Sequence, residues 1–440
     1  MFDLPTGVLY IVNTLNNNGF KAYIVGGSIR DMLLNNLVYD WDITTDATPQ
    51  QVTVLFNKVI PTGIDFGTVT VMLDDGDFEV TTFRKDEQYS DGRRPDNVAF
   101  TKSIEEDLSR RDFTINAIAY DPLKNELIDK FDGQKDLKKK IIRTVGDAVE
   151  RFSEDGLRPM RACRFAAKLN FKIEEKTLEA IKKTHEVFKK VAPERIHDEI
   201  YKMLGSEKPS IGFEYMRESG LLAIVMPELL EGLGVEQPKP YHVFDVYYHN
   251  IYSCDFAPKE LPIVRLAALF HDIAKPKVKI DDTFYNHDLL SADTAALLMK
   301  RLKFSNDDID EVTNLIRNHM FNYTNEWTDA AVRRFLRRVG IENMEDLFLL
   351  RVADMKAMER EIDSAYLTEL KSRIRKIIEE QNALKISDLR VDGTDVMKEL
   401  GIGQSPKIGE VLNNLLEKVL DDPKLNVRDK LIELIKDEKS

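Results

Sequence analysis

Apolar residues recur every three to four positions between residues 8 and 18, which predicts an amphipathic helix. The segment KAYIVGGS then changes period: aromatic and β-branched residues read as a strand that ends in paired glycines, with a helix from Ser28 to about Asn35 behind it. Further strands are predicted around Tyr39 to Ile43, from Thr68 to Leu73 and from Phe78 to Phe83. The last two are joined by the turn Asp74-Asp75-Gly76-Asp77, and VTVLF reads as a helix. From about residue 145 the helical period dominates. The expected fold is therefore α+β: a small N-terminal head with a mixed sheet and helices, followed by an elongated all-helical body. Weak breaks fall near Gly205 to Pro209, Gly232 to Pro240 and Ala383 to Asp388, and no internal repeat is present.

At 440 residues the chain exceeds one ordinary core. Its 43% hydrophobic and 32% charged content is that of a globular protein, and no apolar run reaches membrane-spanning length. The N-terminal residues lack the flanks of a signal peptide, so a cytoplasmic protein with no membrane partner is expected. Cys163 and Cys254 are too few for a disulfide framework and read as buried thiols. A net charge of −13 argues against indiscriminate coating of nucleic acid. The charge is uneven, however. Lys135, Lys138, Lys139, Lys140 and Arg143 cluster, and Arg158, Arg161, Arg164, Lys168 and Lys172 follow, which together can form a basic face or simply a solvated one. Nothing in the pattern sets an oligomeric state.

The chemistry concentrates in a few places. In YDWDIT, Asp40 and Asp42 are two apart, so on an extended strand both carboxylates project to one side. Such a pair requires neutralisation, and an all-oxygen set suits Mg²⁺ with substrate phosphates. Upstream, Gly26, Gly27 and Ser28 allow close backbone approach to a phosphate, with Arg30 and Asp31 one turn on. Glu79 is a candidate third carboxylate on a neighbouring strand, or simply an outward-facing strand residue.

The glycine turn followed by a D-x-D strand resembles the polymerase β-type nucleotidyltransferases. GGSIRD, RRDFTINAIAYD at 110–121, FDGQKDL at 131–137 and EDGLRPMRACRFAAKL at 154–169 narrow this resemblance to class II CCA-adding tRNA nucleotidyltransferases and bacterial poly(A) polymerases. The resemblance implies template-independent addition of CCA to the 3′ end of tRNA from CTP and ATP. A-adding or poly(A) activity is the alternative. Arg110 and Arg111 suit triphosphate oxygens, and the Asp112 carboxylate can accept from a ribose hydroxyl. By resemblance, Asp155 and Arg158 form a protein template for the C and A edges, which share an amino donor beside a ring-nitrogen acceptor; Arg161 and Arg164 line the same groove. The bland reading of Asp155 and Arg158 is an ion pair between the first two turns of one helix.

DEQYSDGRRPDNVAF reads as a mobile loop and resembles the one that CCA-adding enzymes use to switch from C to A. FDGQKDL resembles the family's hinge, and PERIHDEI, through Arg195 and Glu199, the helical block that braces the head. One departure is plain: where the family reads T-G-x-x-H-G-T, Phe66 replaces the histidine.

The body carries a second pattern. His249, the pair His271-Asp272 and Asp354 resemble the H…HD…D set of HD metal-dependent phosphohydrolases, which implies a bound transition-metal ion or Mg²⁺. His287 and His319 offer an extension to a second metal. A 3′-end phosphohydrolase centred on this HD domain is a further alternative function. Residues Gly403 to Gly409 open a helix in a segment that resembles a C-terminal tRNA-binding region. The expected partition is 1–145 nucleotidyltransferase head, 146–207 nucleotide-selecting neck, 208–383 helical body with the HD domain and 384–440 tRNA-binding segment.

Overall fold

The computed structural model describes residues 2–87, 97–239, 242–358, 365–380 and 383–438. Contacts divide the chain into two units, residues 1–230 with 301–304, and residues 231–300 with 305–440.

The first unit opens with the helix Thr6–Asn17, whose Val8, Ile11, Val12 and Leu15 are buried at the predicted spacing. Its strands are β1 (Ala22–Val25), β2 (Asp42–Thr45), β3 (Val59–Gly63), β4 (Thr68–Leu73), β5 (Gly76–Thr82), β6 (Arg84–Glu87), β7 (Asn97–Phe100), β8 (Ala119–Asp121) and β9 (Glu126–Ile128). Seven of them form one sheet in the order β3-β4-β5-β2-β1-β8-β9. β2 runs parallel to β5 and antiparallel to β1, so the sheet is mixed. The hairpin of β4 and β5 turns at Asp74-Asp75, with Leu73 opposite Gly76. Alternation along these strands sends Val69, Val71, Phe78 and Val80 inward.

One boundary differs from the pattern reading. The strand expected over Tyr39 to Ile43 begins at Asp42. Leu37 and Tyr39 are 77% and 83% exposed, so these apolar residues belong to the approach to the strand and have no sheet partner to bury them. The ribbon of β6 and β7 pairs Arg84 with Phe100 and Lys85 with Ala99, and it frames the loop predicted to be mobile. Residues 88–96 of that loop lie outside the described residues.

Beyond β9 the first unit is largely helical. Ala148–Glu154 and Arg158–Leu169 meet at a break around Asp155, and Pro193–Leu204 packs on the second of them. Arg158–Leu169 buries Met160, Ala162, Cys163, Ala166 and Ala167 on one side.

The described part of the second unit is built from helices, among them Val246–Phe256, Pro262–Phe270, Asn306–Asn318 and Met344–Ala357. Val246–Phe256 packs against both Pro262–Phe270 and Met344–Ala357, and their shared interior holds Ile251, Leu266, Leu269, Phe270, Leu347 and Leu350. Toward the C-terminus, Pro406–Asp421 begins after Ser405 and buries Leu415, Leu416, Val419 and Leu420. Among the described residues no helix is long and apolar enough to cross a membrane.

Candidate functional site

A cleft of about 1150 Å³ in the first unit gathers nearly all of the sequence-predicted nucleotidyltransferase residues: Gly26, Gly27, Ser28, Arg30, Asp40, Asp42, Glu79, Arg110, Arg111, Asp112, Asp155, Arg158, Arg161 and Arg164 all line it. β1 delivers the chain to Gly26, whose φ of 71° is a left-handed backbone that glycine adopts freely. A Cβ added there would lie 3.0 Å from an Arg111 nitrogen and 3.1 Å from a carboxylate oxygen of Asp42. The turn is therefore tight because the acid and the guanidinium both close on it. Ser28 Oγ donates to the Val25 carbonyl at 2.9 Å and accepts from the Asp42 amide at 3.3 Å, tying the turn to the start of β2.

Asp42 and Glu79 are direct register partners across the parallel β2–β5 pair. Residues opposite one another on adjacent strands bring their side chains to the same face. Asp40 precedes the strand and is exposed, as is Glu79, whereas Asp42 is half-buried. Burial raises the Asp42 pKa above the ordinary carboxylate range; Arg111 opposes this and Asp40 adds to it. Glu79 is raised by burial and then by the charges of Asp42 and Asp40. Three mutually repelling acids converge here, and that donor set fits a hard divalent cation.

The arginine-rich side of the cleft is more interlocked than the sequence suggested. Arg110 donates to Asp107 at 2.7 and 3.0 Å, and Arg111 bonds the other oxygen of the same buried carboxylate at 3.3 Å. Asp112 takes two bonds from Arg161, at 2.7 and 2.9 Å, on one oxygen, and bonds from Asn116 and the Phe113 amide on the other. Burial alone would raise its pKa, but Arg161 and Asn116 hold it at about 2. The carboxylate expected to meet a ribose thus already has protein donors on both oxygens.

Asp155 and Arg158 do not pair with one another. Asp155 sits in the break between two helices, where Arg195 reaches both of its oxygens at 3.0 and 3.1 Å. Arg158 opens the next helix and is held by Glu154 at 2.6 Å and by the carbonyls of Arg151 and Arg110. Each is oriented by different neighbours. The ion pair within one helix is not what forms, because the helix breaks at Asp155. Arg164 is buried and bonds Glu199.

The sequence reading did not single out Asn116, Phe165 or Lys202 as site residues. Asn116 also accepts from Arg30 at 2.8 Å. The Phe165 ring lies under three guanidinium groups, those of Arg164 at 4.1 Å, Arg30 at 5.3 Å and Arg161 at 5.4 Å. The signal for Phe165 was its place within the stripe Arg158, Arg161, Arg164 and Lys168, since residues three and four apart share a helix face. Lys168 and Lys202 complete the basic lining. Phe66, in place of the family's histidine, ends a short 3₁₀ turn; its carbonyl accepts from Arg84 at 2.5 Å and its ring lies 6.0 Å from that guanidinium.

In the second unit, the four residues of the H…HD…D pattern converge although they come from separate segments. His249 Nε2 is 3.1 Å from His271 Nε2 and 3.2 Å from Asp354 Oδ1, and Asp272 lies within 3.5 Å of both rings. All four are at most 2% exposed. Lys275 and Arg351 bond Asp272 and Asp354 at 2.6 and 2.9 Å. Both cysteines are free and buried, and burial pushes their thiols up, out of the reactive range.

Known proteins carry the same arrangement. Three stretches match family models: the poly A polymerase head domain over residues 22–143, a probable RNA and SrmB-binding site of polymerase A over 170–233, and a putative tRNA nucleotidyltransferase domain 2 over 285–435. A CCA-adding enzyme from Lactobacillus helveticus is 34% identical over 99% of this chain and 98% of its own length. One from Enterococcus faecalis is 33% identical over 98% and 95%. The crystal structure of the Bacillus stearothermophilus CCA-adding enzyme in complex with CTP matches with a TM-score of 0.75 at 27% identity, covering 98% of this chain and 96% of that one. With the cleft built from the family's motifs and a relative matched along almost its entire length, the chain belongs to the class II CCA-adding enzymes, a family of tRNA nucleotidyltransferases.

Proposed function

We propose that this protein adds C, C and A to the 3′ end of tRNA from CTP and ATP, without a nucleic-acid template, in the cytoplasm. The observation that carries this reading is the single cleft in which the Gly26 turn, the Asp42–Glu79 register pair and the separately clamped Asp155 and Arg158 meet. Asp40, Asp42 and Glu79 are the residues that would hold Mg²⁺, which when bound supplies charge stabilisation for phosphoryl transfer. Gly26 and Gly27 leave room for the triphosphate beside Asp42, and Ser28 fixes the turn. Arg30, Arg110 and Arg111 neutralise phosphate charge.

Selection of the base rests on polarity. Asp155 accepts from the exocyclic amino group that C and A share, and Arg158 donates to the adjacent ring nitrogen; U and G present the opposite pattern. Arg195 and Glu154 orient these two side chains. Arg161 and Arg164 line the groove, with Arg161 also holding Asp112. The 3′-hydroxyl of the RNA attacks the α-phosphorus, the new P–O bond replaces the bond to the leaving pyrophosphate, and the hydroxyl proton passes to a carboxylate or to solvent. We assign 1–145 to catalysis, 146–207 to nucleotide selection, 208–383 to the helical body with the HD domain and 384–440 to tRNA contact.

The test is incubation of the purified protein with tRNA that ends at the discriminator base and each NTP separately. Two additions from CTP, followed by one from ATP, are expected. Long A tails from ATP alone would make it a poly(A) polymerase, and failure to use CTP would make it an A-adding specialist.

The cluster of His249, His271, Asp272 and Asp354 gives the second unit a site for one divalent ion, a transition metal or Mg²⁺. A metal there would activate water toward a phosphoester.

A further inference from the structure

The buried cluster of the second unit extends past the four residues of the H…HD…D pattern. His287 and His319, on the other side of Asp272, are 6% and 1% exposed. His287 Nε2 lies 3.3 Å and His319 Nε2 3.8 Å from Asp272 Oδ1, whereas His249 and His271 face Oδ2 at 3.5 and 3.4 Å. Each oxygen of a single carboxylate thus heads its own pair of imidazoles. We propose that the second unit holds two divalent transition-metal ions, one bound by His249, His271, Asp272 and Asp354 and the other by Asp272, His287 and His319, with the Asp272 carboxylate bridging them. This inference rests on the metal-site reading of the first four residues and adds the second ion and the bridge.

Geometry supports the first position. Ligand atoms at about 2.0–2.2 Å from one ion, in tetrahedral directions, lie about 3.3–3.5 Å from one another. The five measured separations among the two Nε2 atoms, Asp272 Oδ2 and Asp354 Oδ1 run from 3.1 to 3.6 Å. A centre among them is therefore at bonding distance from all four.

The tautomers support the second. The Nδ1 atoms of His271, His287 and His319 each meet the carbonyl three residues earlier, those of Ala268, Phe284 and Ile316, at 2.8, 2.7 and 2.7 Å. A carbonyl can only accept, so Nδ1 carries the proton and Nε2 of the neutral ring keeps its lone pair. This is how a protein presents imidazole to a metal. Toward Asp272 Oδ1, lone pairs of two rings then face a carboxylate oxygen with no proton between them. Among the described residues, Asp272 Oδ1 and His287 Nε2 are buried without a hydrogen bond. Buried acceptors facing acceptors repel, and a cation between them removes that cost.

Charge leaves room for both ions. Lys275 and Arg351 already balance Asp272 and Asp354, and Lys275 uses one lone pair of Asp272 Oδ2, leaving the other for a metal. Four imidazoles in six ligands favour zinc, nickel, cobalt or iron over Mg²⁺.

Cobalt(II) is the probe. The full chain carrying Asp40→Ala and Asp42→Ala, which removes the acidic pair of the head, is stripped with chelator and titrated with Co²⁺. Visible ligand-field absorption and elemental analysis after desalting are read together. Two ions per chain are expected, falling to one with His287→Gln plus His319→Gln and to none with Asp272→Ala, while far-UV circular dichroism of each variant stays unchanged. One ion per chain, with no change in the His287/His319 variant, overturns the second position alone. No retained ion overturns the single-ion reading as well.

Discussion

Both units crowd acidic side chains together, yet they neutralise them in opposite ways. In the cleft, Asp40 and Glu79 are exposed and Asp42 is half-buried, so water and incoming cations reach the carboxylates directly. Around Asp272 every ligand candidate is buried, and the balancing charges, Lys275 and Arg351, are part of the fold. Raised carboxylate pKa values in the first place and lowered ones in the second follow from this difference: burial and like charges dominate at Asp42 and Glu79, whereas at Asp272 and Asp354 burial is outweighed by the neighbouring rings and cations. An open acidic site suits ligands that arrive and leave with each turnover. A closed one suits ligands that stay.

The contrast is broken most directly by Asp42→Ala. Extension of tRNA from CTP should fall by about 10³-fold, equivalent to about 4 kcal/mol of transition-state stabilisation, with metal retained by the Asp272 cluster unchanged. Gel-based extension assays and elemental analysis check the two halves separately, and undiminished extension would remove the acidic pair from the mechanism. Gly26→Ala is the next largest. A methyl group between Asp42 and Arg111, on a left-handed backbone, should lower extension by about 10²-fold without changing the order of C and A addition.

Asp112 sharpens the comparison within the head itself, since it is neutralised in the closed manner. Its carboxyl lies at about 2 in the fold against an ordinary 3.8. A depressed folded-state pKa stabilises above the unfolded value and loses that contribution as pH falls through the folded one, so about 2 kcal/mol present above pH ~4 should disappear toward pH ~2. Urea unfolding of the wild type and of Asp112→Asn should therefore differ less at pH 2.5 than at pH 6; an unchanged gap would rule out this ion pair as the source. The smallest effect is expected from Arg195→Ala. Releasing Asp155 should reduce the preference for CTP over UTP by about 10-fold while leaving kcat for CTP within a few-fold, as read from single-nucleotide incorporation.

How much of this could be read from residues alone depended on distance along the chain. The Gly26-Gly27-Ser28 turn and the Asp40/Asp42 spacing are local, and strand and helix periods locate them. Glu79 was one of several strand acids until β5 was found beside β2, a pairing between residues 37 apart that no local period encodes. The same holds for the contacts of Asp112 with Arg161, 49 residues on, and of Asp155 with Arg195, 40 residues on. Tyr39 misled for the opposite reason: its residue type suits a strand, but its neighbours leave it in solvent. In the helical body, His249, His271, Asp272 and Asp354 were legible as an ordered set. That Asp272 turns one oxygen toward each pair of histidines was not, because side-chain direction depends on three helices packing at once.

The fully engaged carboxylate at position 112 changes what sugar recognition means here. A ribose hydroxyl reaching it cannot simply fill a vacant acceptor; it must share an oxygen with Arg161 or displace Asn116. Sugar recognition then becomes a swap of partners, and its energy is the difference between two bonds. A deoxynucleotide would leave the original partners in place, so rejection of DNA precursors should appear as a weaker drive to rearrange the arginine network, with little outright repulsion.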